Sequence, residues 1–310
     1  MRIRRSTERD IIMKITKIIA AVTAALMLCI SMASCGAKTD GGKDTTEQKA
    51  PTDAEYVIEK GKLVVGITSF EPMDYQDKDG NWIGFDADMA TAFADSLGVD
   101  VEFVVIDWDE KIMELDGKTI DCVWNGMTLD DGVTSAMSCS NAYCNNQQVV
   151  VVPKDKADQY TTVEACKDLQ FAVENGSAGQ GQLDGLGYSY TGVVDQATAL
   201  MEVAGGTAEA AVIDKLMAGA MIGEGTSWAN LTYTVGLNDE QYGVGFRKGS
   251  DLTEKLNKFF KDSYADGSMT NIAEKYGVQE AIIAQGQQSA AAHKRVYPRH
   301  LSGIYCAIIS

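Results

Sequence analysis

Apolar runs that fit strands alternate with amphipathic stretches that fit helices, and the alternation begins at residue 62. KLVVGIT, residues 62–68, is short and apolar, which predicts a buried strand. In MDYQDKDGNWIGFD, Asp79 followed by Gly80 is a hairpin turn signal between aromatic-rich arms. DADMATAFADSLG places Met89, Phe93 and Leu97 at i, i+4 and i+8, opens with Asp residues and stops at Gly98, as a helix does. VDVEFVVID reads as a strand, residues 109–115 as a helix, and TIDCVWNGM as a further strand. Strand–helix–strand order of this kind predicts α/β units.

A second such unit follows. NNQQVVVVP reads as a strand ended by Pro153, and TVEACKDL, FAVENG, QATALMEVAGG, AEAAVID and KLMAGAMIG repeat the alternation. YGVGFRKGS predicts a strand and turn, and LTEKLNKFFKDSYADG and MTNIAEKYG predict closing helices.

The ends differ from this body. MKITKIIAAVTAALMLCISMASC places Lys14 and Lys17 before an apolar run at 18–32, which is shorter than the ~20 residues of a membrane span. Residues 1–34 therefore read as a secretory signal. MASC resembles a bacterial lipobox, with Met32 where Leu is usual, so Cys35 is the expected lipidation site and mature N-terminus. Residues 35–55 are polar, Gly- and Thr-rich and aperiodic, as expected of a flexible tether. At the other end, residues 285–310 break the acidic composition and contain both histidines, His293 and His300. The fold is expected to end near Ala284, with a disordered tail beyond.

Charge narrows the partners. Residues 35–287 contain 18 Lys and Arg against 42 Asp and Glu, a net of −24. Nucleic acid needs basic patches to neutralise phosphates, so it is not an expected partner. The same span has no histidine, which removes His-based triads, His general bases and most metal sites. Cys122, Cys139, Cys144 and Cys166 show no CxxC or Cys/His spacing; they read as small buried residues, with a disulfide near Cys139 and Cys144 the alternative in an exported protein. No metal or cofactor is expected, and no catalytic constellation stands out.

Three local patterns carry candidate chemistry. Asp77, Asp79 and Asn81 alternate like calcium-loop ligands, but Trp82 occupies the required Gly position and Asp88 the Glu position, so a hairpin is expected. NGSAGQGQLDG is neither a Walker A sequence nor GxGxxG, and fits a strand-to-helix turn whose N–H groups meet a small ligand. NGMTLDDGVTSAMS, residues 125–138, opens as a turn rich in N–H donors, a natural anion site. Yet Asp130 and Asp131 follow, and no Lys or Arg occurs between Lys118 and Lys154.

In order and spacing, GKLVVGITSFEPMDYQDKDGNWIGFDADMATAFADSLG, GKTIDCVWNGMTLDD, SNAY, FAVENGSAG, AAVID, EQYGVGFRKGSDL and ADGSMTNIAEKYG resemble the solute-binding proteins, family 3, of bacterial polar amino-acid ABC transporters. The likeness covers residues 56–284, and the lipoprotein leader agrees with it. It implies a type II periplasmic-binding-protein fold of two α/β lobes joined by a two-strand hinge. Lobe one would comprise 56–143 and 243–284, lobe two 147–238, and the crossings 144–146 and 239–242. It further implies a lipid-anchored, extracytoplasmic monomer, not an enzyme, that closes on a solute and delivers it to an ABC permease. Phe70 and Trp108 match rings that flank the ligand, with plain core aromatics as the alternative. Asn125, Gly126 and Thr128 match the lobe-one turn, and Ser177 and Ala178 the lobe-two turn that gives N–H donors to a carboxylate. Asp214 matches the acid that takes the α-ammonium, with a solvated strand-end Asp as the alternative.

One departure bears on the ligand. The family carries an Arg seven residues after the Gly of GMT, and Val133 stands there. Arg247 is the only Arg in residues 35–287, and its motif places it away from the cleft. A charge-assisted hydrogen bond contributes roughly 1.5–3 kcal/mol. Three outcomes fit: a Lys such as Lys215 replaces the Arg, N–H donors and hydroxyls hold the carboxylate alone, or the ligand lacks a free α-carboxylate. Asp130, Asp131 and Glu174 favour a cationic or neutral amine-bearing solute over an acidic one. The remaining alternatives are a ligand-sensing module and a dehydratase-like enzyme on the same fold.

Overall fold

The computed structural model describes residues 50–286. The signal at 1–34, the lipidation site Cys35 and most of the tail at 287–310 lie outside the described residues. Helix α1 (Asp53–Lys60) begins three residues before the expected lobe boundary at 56. Thr52 and Glu55 form a capping box, the side chain of each accepting from the other's backbone N–H. Ala54 and Val57 are then buried, so 53–55 belong to the fold and not to the tether.

In chain order there follow β1 (Lys62–Ile67), β2 (Tyr75–Gln76), β3 (Trp82–Ile83), α2 (Phe85–Leu97), β4 (Asp100–Val105), α3 (Lys111–Asp116), β5 (Cys122–Thr128), α4 (Asp131–Ala136) and β6 (Ser138–Cys139). The short strand β7 (Cys144–Asn146) leads to β8 (Gln148–Pro153), β9 (Phe171–Glu174), α5 (Ala178–Leu186), β10 (Tyr190–Val193), α6 (Gln196–Gly205), β11 (Ala210–Asp214), α7 (Lys215–Met221) and β12 (Leu231–Gly236). Strand β13 (Glu240–Phe246) returns, and α8 (Leu252–Ala265) and α9 (Ser268–Lys275) close the chain. TVEACKDL is not a full helix: only Glu164–Cys166 winds, as one 3-10 turn. Within that turn only Cys166 is buried, so no apolar face supports a longer helix.

Two sheets define two lobes. The first has the order β4-β1-β5-β13-β6, and the second β10-β9-β11-β8-β12. β1 runs parallel to β4 and β5, while β13 runs antiparallel to β5. The crossings pair with each other: Glu240 faces Asn146, Gln241 faces Asn145 and Tyr242 faces Cys144. The chain thus has the two-lobed type II architecture with a two-strand antiparallel hinge.

Behind the first sheet, Phe93, Trp124, Tyr143 and Phe260 form a buried aromatic cluster with ring centroids 5.5–6.5 Å apart. Val150, Val152, Phe171, Val173, Leu183 and Val212 fill the core on one side of the second sheet. The hairpin β2–β3 uses Asp77 in its turn, its carboxylate accepting from the N–H groups of Asp79 (2.8 Å) and Asn81 (2.9 Å). Packing also continues past Ala284: Gln285 is buried, and its amide donates to the carbonyls of Ala142 and Ile283, each at 2.9 Å. Residue 285 therefore belongs to the fold, not the tail. Cys122, Cys139, Cys144 and Cys166 are free thiols.

Candidate functional site

Parallel strands end at the same edge of a sheet, so the loops after β1 and β5 and those after β9 and β11 face one another between the lobes. The cleft between them is nearly closed, with a cavity of about 30 Å³. All eight residues expected to hold a solute line it: Phe70, Trp108, Asn125, Gly126 and Thr128 on one side, Ser177, Ala178 and Asp214 on the other.

On the lobe-one wall, Asn125 is fixed from several directions. Its Oδ1 accepts from the Thr68 N–H (3.0 Å) and hydroxyl (2.8 Å), and its Nδ2 donates to Thr68 O (3.0 Å) and Asp74 Oδ2 (2.8 Å). Gly126 follows with φ +54°, and its N–H donates to Asp86 Oδ2 at 2.7 Å. Asn125, Gly126 and Thr128 lie within strand β5 rather than in the expected turn, and a Cβ on Gly126 would lie 2.4 Å from Phe70 Cε1, so only glycine lets this ring lie against the strand. Phe70 and Trp108 combine both expectations, since each packs in a core cluster and each lines the cleft.

Asp130 explains the acids beside the donor-rich turn. It caps α4, its Oδ1 accepting from Val133 N at 2.7 Å. One donor of this stretch, the Val133 N–H, is thus satisfied by the chain itself. Val133 lines the cleft, where the family Arg would stand.

The cation of the cleft is Lys111, which the sequence reading missed, and not Lys215. Lys215 is exposed at the start of α7 and borders a separate groove with Tyr233 and Tyr276. Lys111 is buried, with Nζ 4.9 Å from the Trp108 ring centroid. That Nζ donates to Trp108 O (3.0 Å) and, across the cleft, to Gly176 O (2.9 Å). Burial lowers its pKa, while Glu174, Asp130 and Asp109 oppose the fall. The signal was its position three residues after Trp108, which sets the two on one side of a helical turn. Arg247 stays away from the cleft, paired with Asp53 at 3.1 Å and donating to Ile120 O at 2.8 Å.

On the lobe-two side, Ser177 caps α5, its hydroxyl accepting from Gln180 N at 3.1 Å. The Ser177 N–H goes to Glu174 O (3.3 Å) and the Gly176 N–H to Gln180 Oε1 (2.6 Å). Helix geometry leaves the Ala178 N–H without an intrahelical partner. Of the two expected carboxylate-binding residues, Ala178 therefore has the available donor.

Asp214 is not a solvated strand-end acid: it is 4% exposed. Its Oδ1 accepts from Asn146 Nδ2, Gln148 Nε2 (3.0 Å) and Tyr242 OH (2.5 Å), and its Oδ2 accepts from Gln196 Nε2. Asn146 and Tyr242 belong to the two hinge strands, and Asn146 Nδ2 also reaches Glu240 Oε1 at 2.6 Å. The acid of the cleft is thereby wired to both crossings. Burial, then the neighbouring Glu240, raises its pKa to about 8, with the bonds from Tyr242 and Gln196 pulling it down. Asn146, Gln148, Gln196, Glu240 and Tyr242 were not found from sequence.

A two-lobed cleft with a hinge-linked acid defines the class of two-domain solute receptors. Residues 63–279 match the bacterial extracellular solute-binding proteins, family 3, and the chain belongs to that family. Among curated proteins it is similar to the L-cystine-binding protein TcyA of Bacillus subtilis, at 28% identity over 81% of this chain and 95% of the relative. Among solved structures it is similar to the P235GK mutant of ArgBP from T. maritima. That likeness has 29% identity, TM-score 0.69, and covers 73% of this chain and 99% of the other. It is also similar to a substrate-binding protein of an ABC uptake transporter from Streptococcus pneumoniae with bound histidine. There the identity is 30% and the TM-score 0.66, covering 72% and 95% of the two chains.

Proposed function

We propose that this solute-binding protein captures an amino acid or a related small amine-bearing solute, as a monomer anchored through lipidated Cys35, and delivers it to an ABC permease. Phe70 and Trp108 flank the solute, Asn125, Gly126 and Thr128 hold it from lobe one, and Ser177 and Ala178 from lobe two. Asp214 takes its ammonium. The observation that carries this reading is the acceptor capacity of Asp214. Its Oδ1 has three donors and its Oδ2 one, which leaves room on Oδ2 for an ammonium. The relatives named for cystine, arginine and histidine support an amino acid as the ligand class. Closure follows from differential binding: a solute touching both walls stabilises the closed form that a permease would recognise.

The test is calorimetric titration of an L-amino-acid panel against wild type and Asp214→Asn. Loss of the charge-assisted bond is expected to weaken binding about ten- to a hundred-fold. Glutamate and aspartate as the only tight ligands would sink the expectation of a cationic or neutral solute, and unchanged affinity in Asp214→Asn would sink the ammonium contact.

A further inference from the structure

We propose that Glu174 is a second cation-receiving group of the cleft, and that the solute carries a protonated side-chain nitrogen in addition to its α-ammonium. The inference rests on the amine-receptor reading above and narrows its substrate class.

Glu174 ends β9 immediately before the lobe-two turn and lines the cleft. It is 3% exposed, and its Oε1 is buried without any hydrogen-bond partner. A buried carboxylate oxygen left in this way has lost water and gained nothing in return. Asp74 Oδ1 and Asp86 Oδ1 are also unpartnered, but neither residue lines the cleft. Asp214, by contrast, is already held by four donors. Lys111 is the one cation among the lining residues. It gives two of its three N–H donors to Trp108 O and Gly176 O rather than to Glu174.

A proton can neutralise this carboxyl, but a protonated solute nitrogen would supply both the charge and the hydrogen-bond donor that Oε1 lacks. Burial, and then the neighbouring Asp214 and Asp195, raise the Glu174 carboxyl to about 8, with Gln196 and Lys111 pulling it down. Two buried carboxylates that repel each other in one cleft are best neutralised by two positive nitrogens. A single shared ammonium is the competing arrangement.

L-lysine and L-norleucine separate the two cases, because norleucine has lysine's carbon chain without the terminal nitrogen. Titration of the wild-type protein with L-lysine, L-ornithine and L-norleucine needs no variant. One of the two diamino acids is expected to bind about ten- to a hundred-fold tighter than norleucine. Glu174→Gln, checked for folding by its thermal melt, should erase that difference and leave norleucine nearly unchanged. Equal wild-type affinity for all three would overturn the second-nitrogen proposal while leaving the amino-acid receptor intact. So would a Glu174→Gln variant that weakens norleucine as much as lysine, the signature of one shared ammonium. Failure of all three, together with the whole amino-acid panel, would overturn both readings.

Discussion

Val133 sits in the cleft wall with its N–H on the cap residue Asp130, packed in a cluster with Met127 and Met137. An Arg introduced there would reach into a cleft that lacks a guanidinium. Val133→Arg is expected to raise affinity for common L-amino acids about tenfold, in line with one charge-assisted bond. Its apolar packing would be overfilled, lowering stability by about 1–3 kcal/mol and the thermal midpoint with it. Unchanged affinity by calorimetry would mean that the side chain at 133 does not point at a carboxylate. At this scale the sequence was legible wherever a residue sat inside a local motif, as Asn125, Ser177 and Asp214 do. It was silent on Gln148 and Asn146, and for Lys111 it offered the spacing to Trp108 but not the contact across the cleft. Asn146 meets Asp214 from 68 positions away, and Lys111 meets Gly176 from 65. Nothing near those residues in the chain signals such a partner.

The C-terminal half of strand β5 faces the cleft, and α2 supports it from behind. Asp86, in the first turn of α2, accepts from Gly126 N (2.7 Å) and from Tyr143 OH (2.6 Å). Burial raises the Asp86 carboxyl from 3.8 to about 7, opposed by those two bonds. Asp74 is raised by burial and then by Asp86, so the pair acts in one direction. A carboxyl with a raised folded-state pKa binds a proton more tightly when folded. Its contribution to stability is therefore full below about 3.8 and is lost as pH rises through about 7. The urea midpoint of the wild type should fall between pH 5 and about 7.5, and Asp86→Asn, neutral throughout, should flatten that fall. An equally steep fall in the variant would assign the titration elsewhere. The elements themselves were largely readable, because periodicity and stop signals such as Gly98 act locally. The exceptions have local causes too. In TVEACKDL only Glu164–Cys166 winds, with Cys166 alone buried in that turn, and the α1 capping box lay unread in an apparently featureless polar stretch.

Across the whole molecule, the two lobes approach closely at one point. A Cβ on Gly176, whose φ is +69°, would lie 2.7 Å from Asp109 Cα, and Lys111 beside it donates to carbonyls of both lobes. These bonds favour the closed arrangement over the open one. Lys111→Met keeps an unbranched chain of similar length without the donor. It is expected to enlarge the unliganded radius of gyration in small-angle scattering and to weaken solute binding about tenfold or more. An unchanged radius, with unchanged affinity, would show that the contact contributes nothing to closure. By itself the sequence determined the α/β class, the family, the order of the elements and the eight motif-borne cleft positions. Short-range periodicity and motif spacing survive without knowledge of the fold. Only the tertiary structure decided that Lys111 and not Lys215 is the cleft cation, that Asp214 is tied to both hinge strands, and that Glu174 lines the cleft with its Oε1 unpartnered. Charge placement and burial depend on which distant segments meet, and the two crossings of the chain bring those segments together.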